Sequence, residues 1–189
     1  MKKLSFAFDC DGVLQDYAET LDRLMHAEYG HHPVNAYSMY DRFPTLTKKQ
    51  VNKIWDMVTT HNLLVHLKEI DNAFAVLKEL QTHGHDVYVV TAIQDHLYDD
   101  RLASFHKHGF NPTKLFCVGN VPKTTAYLEA SADYMFDDQL FHLVEADGHV
   151  EHKILINNGI PQKKNAFVSD YRKYNTVAEW FAAEKNDLL

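Results

Sequence analysis

The chain has 189 residues, of which 46% are hydrophobic and 24% charged, with a formal net charge of −7. That is enough for one well-packed domain, or for one domain carrying a modest insertion, and too apolar for a disordered tail. The negative balance excludes broad binding to a nucleic-acid polymer, which needs a basic face to displace counterions, but it leaves room for a small anionic substrate beside a bound metal.

The first element is a short apolar strand, Leu4 to Phe8, that runs into Asp9-Cys10-Asp11-Gly12-Val13-Leu14. Alternation along an extended chain puts Asp9 and Asp11 on one side, with Cys10 turned inward, so two carboxylates converge beyond the strand end. Two such anions stay together only with a shared proton or a cation, and a hard divalent ion is the usual remedy. Gly12 lets the backbone turn sharply. A helical stripe follows at Tyr17, Leu21, Leu24, Met25 and Tyr29, ending near Gly30; residues 33–46 show no clean period and read as an irregular connection. Thr47 is placed to cap a second helix with Val51, Ile54, Trp55 and Val58 on its apolar face. Residues 15–70 therefore read as a small, mostly helical insertion between core segments 1–14 and 71–189.

From Asp71 helices and strands alternate. Ala73, Phe74, Val76, Leu77 and Leu80 mark a helix that stops at His83-Gly84, before the β-rich run Val87–Thr91. Leu97, Leu102 and Phe105 mark a helix closed by Gly109, and Leu115–Val118 is a third strand. A helix from about Pro122 to Ala130 leads to a fourth strand, Tyr134–Phe136, which runs into Asp137-Asp138. After a helix at Leu140–Val144 come a fifth strand, Lys153–Ile156, the turn Asn157-Asn158-Gly159, and a last helix over Thr176–Glu184. This alternation predicts an α/β fold with a doubly wound parallel sheet, covered by helices on both faces, whose ligands sit beyond the carboxyl ends of the strands.

Cys10 and Cys117 form neither a disulfide framework nor a zinc-type spacing, and of the thirteen histidines His31-His32, His83-x-His85 and His106-x-His108 fall at helix ends or turns, none with a zinc partner set. Two cysteines fit a reducing compartment. Asp9 and Asp11 interrupt the N-terminal apolar run before it could act as a signal core, and no window approaches the roughly 18 apolar residues of a membrane span. A cytoplasmic protein with no membrane partner is expected.

The strand ends carry a set of groups suited to a phosphate: Asp9 and Asp11, Thr91, Lys123 after a short loop, and Asp137 with Asp138. Singly, each has a plain reading as a turn, a cap or a solvated lysine. Parallel topology brings them to one edge. A carboxylate can attack phosphorus and split one hard displacement into two, while a second carboxyl protonates the leaving oxygen and later activates water. Lysine and a hydroxyl can hold phosphoryl oxygens, with magnesium neutralising charge.

The ordered set D-x-D-G-V-L, a strand ending in Thr91, then Lys123, then a strand ending in Asp137-Asp138 resembles the haloacid dehalogenase (HAD) superfamily over essentially the whole chain. The resemblance implies Asp9 as nucleophile, Asp11 as general acid and base, and Thr91 and Lys123 as phosphate holders. It also implies an acidic metal pair, Asp137 and Asp138, with Mg2+ bound by the side chain of Asp9, the main-chain carbonyl of Asp11 and one of that pair; Asp138 is the favoured direct ligand, with Asp137 acting through water. Within that superfamily the helical insertion and the stretch Asn62–Ile70 resemble the 5'(3')-deoxyribonucleotidases. The pattern departs at Thr91-Ala92-Ile93, where that family has Thr-Ser-Pro, at Gln139, where it has a basic residue, and at Val121-Pro122 before Lys123.

The expected activity is a magnesium-dependent phosphomonoesterase acting on a small phosphorylated substrate, a nucleoside or deoxynucleoside monophosphate. Tyr37, Tyr40, Phe43 and Trp55 in the insertion could offer a face for a base, although aromatics at helical spacing also fill cores. A sugar-phosphate or other small-metabolite phosphatase or phosphomutase of the same fold is the alternative. A phospho-accepting signalling domain is disfavoured by motif order: such domains place the acidic pair first and the acceptor aspartate on a later strand.

Overall fold

In the computed structural model, which describes residues 2–162 and 171–188, six strands form one parallel sheet in the order β3-β2-β1-β4-β5-β6. They are β1 (Ser5–Phe8), β2 (Asp86–Thr91), β3 (Lys114–Cys117), β4 (Tyr134–Asp137), β5 (His152–Ile156) and β6 (Arg172–Tyr174). The order reverses direction at β1, whose neighbours are β2 on one side and β4 on the other. The carboxyl ends on either side of that switch point are where such sheets bind ligands.

Alternation along the strands separates two cores. Phe6, Phe8, Val87, Val89 and Phe136 face one way, against α4 (Ala73–Thr82), α5 (Tyr98–Lys107) and α8 (Val177–Leu188). Phe8 and Phe136 stack with centroids 4.2 Å apart, and the Trp180 ring meets Phe136 edge-on at 4.4 Å. Ala7, Met135 and Leu155 face the other way, against α6 (Thr124–Glu129) and α7 (Leu140–Glu145). Cys10 is fully buried in the first core, as its inward direction predicts.

Residues 15–70 contain α1 (Tyr17–Tyr29), α2 (Met39–Arg42) and α3 (Lys48–Thr60), which enclose their own apolar cluster around Leu21, Met25, Phe43, Ile54 and Leu64. Gly30 ends α1 in the left-handed region, and Thr47 with Gln50 forms a full capping box on α3. The cluster is sealed against the sheet edge by Ile93 and Leu97. The two linkers run side by side: Asp16 N donates to Lys68 O at 2.9 Å, Ile70 N to Leu14 O at 2.9 Å, and Gln15 pairs with Glu69.

The elements differ from the sequence expectation in four places. α2 is a single turn inside the stretch expected to be irregular. β6, Arg-Lys-Tyr on an edge, has no apolar pattern to betray it. α6 begins at Thr124, so Lys123 occupies the cap position rather than the helix body. α8 continues to Leu188, which is buried and whose carbonyl lies 3.2 Å from His85 Nε2.

Candidate active site

Strand pairing fixes the centre of the site. Phe8 is in register with Phe136, and Asp9 N donates to Phe136 O at 2.8 Å, so Asp9 and Asp137 leave adjacent strands side by side. Both side chains are buried, and Lys123 lies between them, 2% exposed, with Nζ 2.8 Å from Asp9 Oδ1 and 2.8 Å from Asp137 Oδ2. Asp9 Oδ1 also accepts from Cys10 N at 2.7 Å, and Asp137 Oδ1 from Gln139 N at 2.9 Å. Burial pushes the Asp9 carboxyl above its ordinary value, with Asp137 adding to the rise and Lys123 opposing it. Burial weakens the charge on Lys123, but Asp137 and Asp9 together outweigh it and hold the ammonium firmly protonated.

Asp138 turns the other way. Its Oδ2 accepts from Asn158 Nδ2 at 2.6 Å, while Oδ1 is buried with no donor among the described residues. Burial raises its carboxyl well above the ordinary value, and the charges of Asp9 and Asp137 raise it further. Gly12 makes room for this arrangement: with φ of 86° it occupies the left-handed region, and a methyl group there would collide with Asp138 Oδ2 and sit 2.9 Å from Asn158 Nδ2. One carboxylate oxygen from each of Asp9, Asp137 and Asp138 falls within 4.8 Å of the others. Three buried carboxylates, one with an oxygen lacking any donor, fit a hard divalent cation, which takes oxygen ligands.

Asp11 lines the same cavity as Asp9 but meets a different cation. Arg101, fully buried on α5, places Nη2 at 2.8 Å from both Asp11 oxygens and Nη1 at 2.9 Å from Gln15 Oε1. Burial raises the Asp11 carboxyl from its ordinary value despite the opposing pull of Arg101. The expectation of two neighbouring anions needing a counter-ion thus resolves into separate partners, Lys123 for Asp9 and Arg101 for Asp11. Thr91 closes β2 with its hydroxyl buried and without a partner among the described residues; the cavity wall beside it is Ala92 and Ile93.

A cavity of about 500 Å³ opens above these groups, roofed by residues 15–70. Of the aromatics expected there, Trp55 lines it, its ring centroid 5.8 Å from that of Tyr17. Phe43 lies instead in the apolar cluster beneath the helices, and Tyr40 is 47% exposed and donates to Asn52 Oδ1 at 3.0 Å. Tyr37 lines the cavity and ties roof to floor, donating its hydroxyl to Asp138 O at 2.6 Å, while Gln162 Nε2 donates to both at 2.8 Å. Arg42 lines the wall, held by Asp22 at 2.7 and 2.6 Å.

Three residues escape the sequence reading as contributors to the site: Arg101, Asn158 and Gln15. Arg101 and Asn158 each leave a faint signal. Arg101 sits in the apolar stripe Tyr98, Leu102, Phe105 at helical spacing, where a charge calls for a buried partner. Asn158 follows the fifth strand at the same sheet edge as the other groups.

No family model and no curated protein matches the sequence. Solved structures do match it over nearly its whole length. A haloacid dehalogenase-like hydrolase from Streptococcus pneumoniae superposes with a TM-score of 0.66 at 18% identity, covering 97% of this chain and 99% of that one. YfnB from Bacillus subtilis, a HAD-hydrolase by inference whose magnesium-bound form reveals interdomain movement, gives 0.64 at 16% identity, covering 98% and 100%. An inferred phosphoglycolate phosphatase from Haemophilus somnus gives 0.65 at 14% identity, covering 97% and 99%. The chain has the haloacid dehalogenase fold. In this HAD fold the acidic cluster and Lys123 stand at the carboxyl edge of the sheet, beneath the helical segment of residues 15–70. Among the described residues no helix is long and apolar enough to cross a membrane.

Proposed function

We propose that the chain is a magnesium-dependent phosphomonoesterase that works through an aspartyl phosphate on Asp9, with a nucleoside or deoxynucleoside monophosphate as substrate. The observation that carries the reaction class is the floor of the cavity: a buried aspartate paired with a buried lysine, beside an acidic cluster with one oxygen left without a donor. Asp9 Oδ1 accepts from Lys123 Nζ and Cys10 N, which orients the carboxylate in the floor of the cavity. In the first step an Asp9 oxygen forms a bond to phosphorus as the ester P–O bond breaks, and Asp11 gives its proton to the departing oxygen. In the second, Asp11 takes a proton from water as that water attacks phosphorus, releasing the Asp9 carboxylate and inorganic phosphate. An ammonium has three donors, and Lys123 spends two on Asp9 and Asp137, so the third is available to a phosphoryl oxygen.

Asp9 and Asp138 would hold magnesium, together with the Asp11 main-chain carbonyl; Asp137, whose two oxygens already serve Lys123 and Gln139, would act through water. The ion would neutralise the negative charge that otherwise keeps carboxylate and phosphoryl group apart. The magnesium-bound form of YfnB supports this choice of cation.

The nucleotide assignment rests on size and on the roof. The cavity has room for a phosphate and a base, and the Tyr17 and Trp55 rings, tilted 33° to each other, give aromatic faces in its wall on which a base could stack. The second reading, a sugar-phosphate phosphatase, is favoured by the carboxylates of Asp16, Glu19 and Asp22 in the same wall, which accept hydrogen bonds from hydroxyls. Phosphate release from a panel of nucleoside monophosphates and sugar phosphates, with and without EDTA, separates these. Preference for a nucleotide and recovery of activity on adding magnesium are expected. No preference for any nucleotide sinks the nucleotidase reading, and indifference to chelation sinks the metal.

A further inference from the structure

Arg101 is a guanidinium with no exposed surface, in the stripe by which α5 packs on the core. Burying such a charge is costly on general grounds, so what it holds should matter. It holds Asp11, whose side chain keeps 26% of its surface exposed. The geometry is not the one that maximises ion-pair strength. A fork would set two guanidinium nitrogens against two carboxylate oxygens. Here Nη2 alone serves both Asp11 oxygens at 2.8 Å, Nη1 is given to Gln15 Oε1, and Nε is buried without a partner among the described residues. One oxygen of Asp11 can therefore swing toward a substrate while the other keeps its bond. Gln15, itself fully buried, donates to Ser104 Oγ at 2.6 Å, one turn along the same helix. Its backbone accepts from Gly12 N at 2.9 Å and pairs with Glu69 on the returning linker. Helix α5 thus grips the Asp11 loop at the point where the helical segment joins the core.

We infer that Arg101, braced by Gln15 and Ser104, is the positioning residue of the acid step: it holds the Asp11 carboxyl at the cavity so that one oxygen can reach the leaving group. The inference rests on the phosphomonoesterase reading and goes beyond it, because it makes Arg101 matter in proportion to how badly the leaving group needs a proton. p-Nitrophenolate departs without one; an alkoxide does not. The parameter to measure is kcat/KM, which reports steps only up to departure of the leaving group, so the later attack of water does not enter.

The test measures kcat/KM of Arg101→Met, Arg101→Lys, Asp11→Asn and the Arg101→Met/Asp11→Asn double variant on p-nitrophenyl phosphate, thymidine 5'-monophosphate and glycerol 3-phosphate. For Arg101→Met a loss of roughly 10²-fold or more is expected on the better alkyl ester, in line with the worth of general acid catalysis, against under about tenfold on the nitrophenyl ester. Arg101→Lys should recover part of it, and in the Asp11→Asn background Arg101→Met should add little to the loss on either ester. Equal losses on all esters, or an Arg101→Met effect undiminished by Asp11→Asn, would show a merely structural arginine and overturn the inference. A wild type that cleaves no ester removes the phosphomonoesterase reading itself. Asp11 can regain water where it faces the cavity, which favours folding of Arg101→Met; should thermal unfolding show it misfolded, Arg101→Lys carries the same comparison on a smaller scale.

Discussion

Replacing Lys123 with methionine keeps an unbranched stem of similar length and removes the ammonium, with its charge and its hydrogen-bond donors. In the structure that charge makes two contacts of 2.8 Å with carboxylates that have almost no access to solvent. At an effective dielectric of about 20, each contact is worth about 6 kcal/mol before desolvation. Withdrawing the three ions from water costs several kcal/mol apiece and consumes much of that gain. In the variant the carboxylates keep their desolvation and their mutual repulsion and lose the attraction, so the net loss of stability should be about 3–5 kcal/mol. For a domain of this size that lowers the Tm by about 6–20 °C, at about 2–4 °C per kcal/mol. Urea unfolding in EDTA at neutral pH, followed by fluorescence of Trp55 and Trp180, measures it directly. Added magnesium should narrow the gap between variant and wild type, because a bound cation replaces part of the missing charge. A loss under about 1 kcal/mol, typical of exposed pairs, would refute the placement of Lys123 as the counter-ion of a buried acidic pair.

Asn158→Ala takes the donor from Asp138 Oδ2 without touching a ligand, and magnesium affinity by calorimetry should fall by about 10- to 100-fold; an unchanged affinity contradicts this. Gly12→Ala should force the Asp138 carboxylate aside and lower kcat/KM by on the order of 10²-fold, the usual cost of a misplacement near 1 Å, with a crystal structure of the variant showing the shift. The raised carboxyls of Asp9 and Asp138 hold protons above the usual carboxylate range, so protons compete with the cation there: magnesium affinity should weaken as the pH falls through those raised values, and titrations from pH 8 to 5 should show it. By the same sign, these two groups oppose folding of the metal-free protein once ionised, and the opposition is relieved as the pH falls through their folded-state values.

Much of this site is legible in the sequence because its groups follow buried strands. Phe6 and Phe8 before Asp9, and Met135 and Phe136 before Asp137, announce strands whose ends must surface at one edge of a parallel sheet. Terminating and capping residues made the end of α1 readable at Gly30 and the start of α3 at Thr47. What escaped depends on contacts distant in sequence. Arg101 has meaning only beside Asp11, ninety positions away, and Asn158 reads as a turn residue until β5 brings it to Asp138. β6 owes its place to pairing with β5, not to apolar content. Phe43 and Trp55, alike as aromatics, part company because the helices of residues 15–70 turn one into their own cluster and the other toward the cavity.

The proposed reaction requires a covalent bond between phosphorus and Asp9. Rapid acid quench during the first turnover of a substrate labelled in its phosphoryl group, followed by peptide mapping, should find the label on the peptide that contains Asp9. In Asp9→Asn, with the fold intact by circular dichroism, both label and turnover should be lost. Labelled phosphate released with no label passing through Asp9, or an Asp9→Asn variant that turns over normally, would contradict the account.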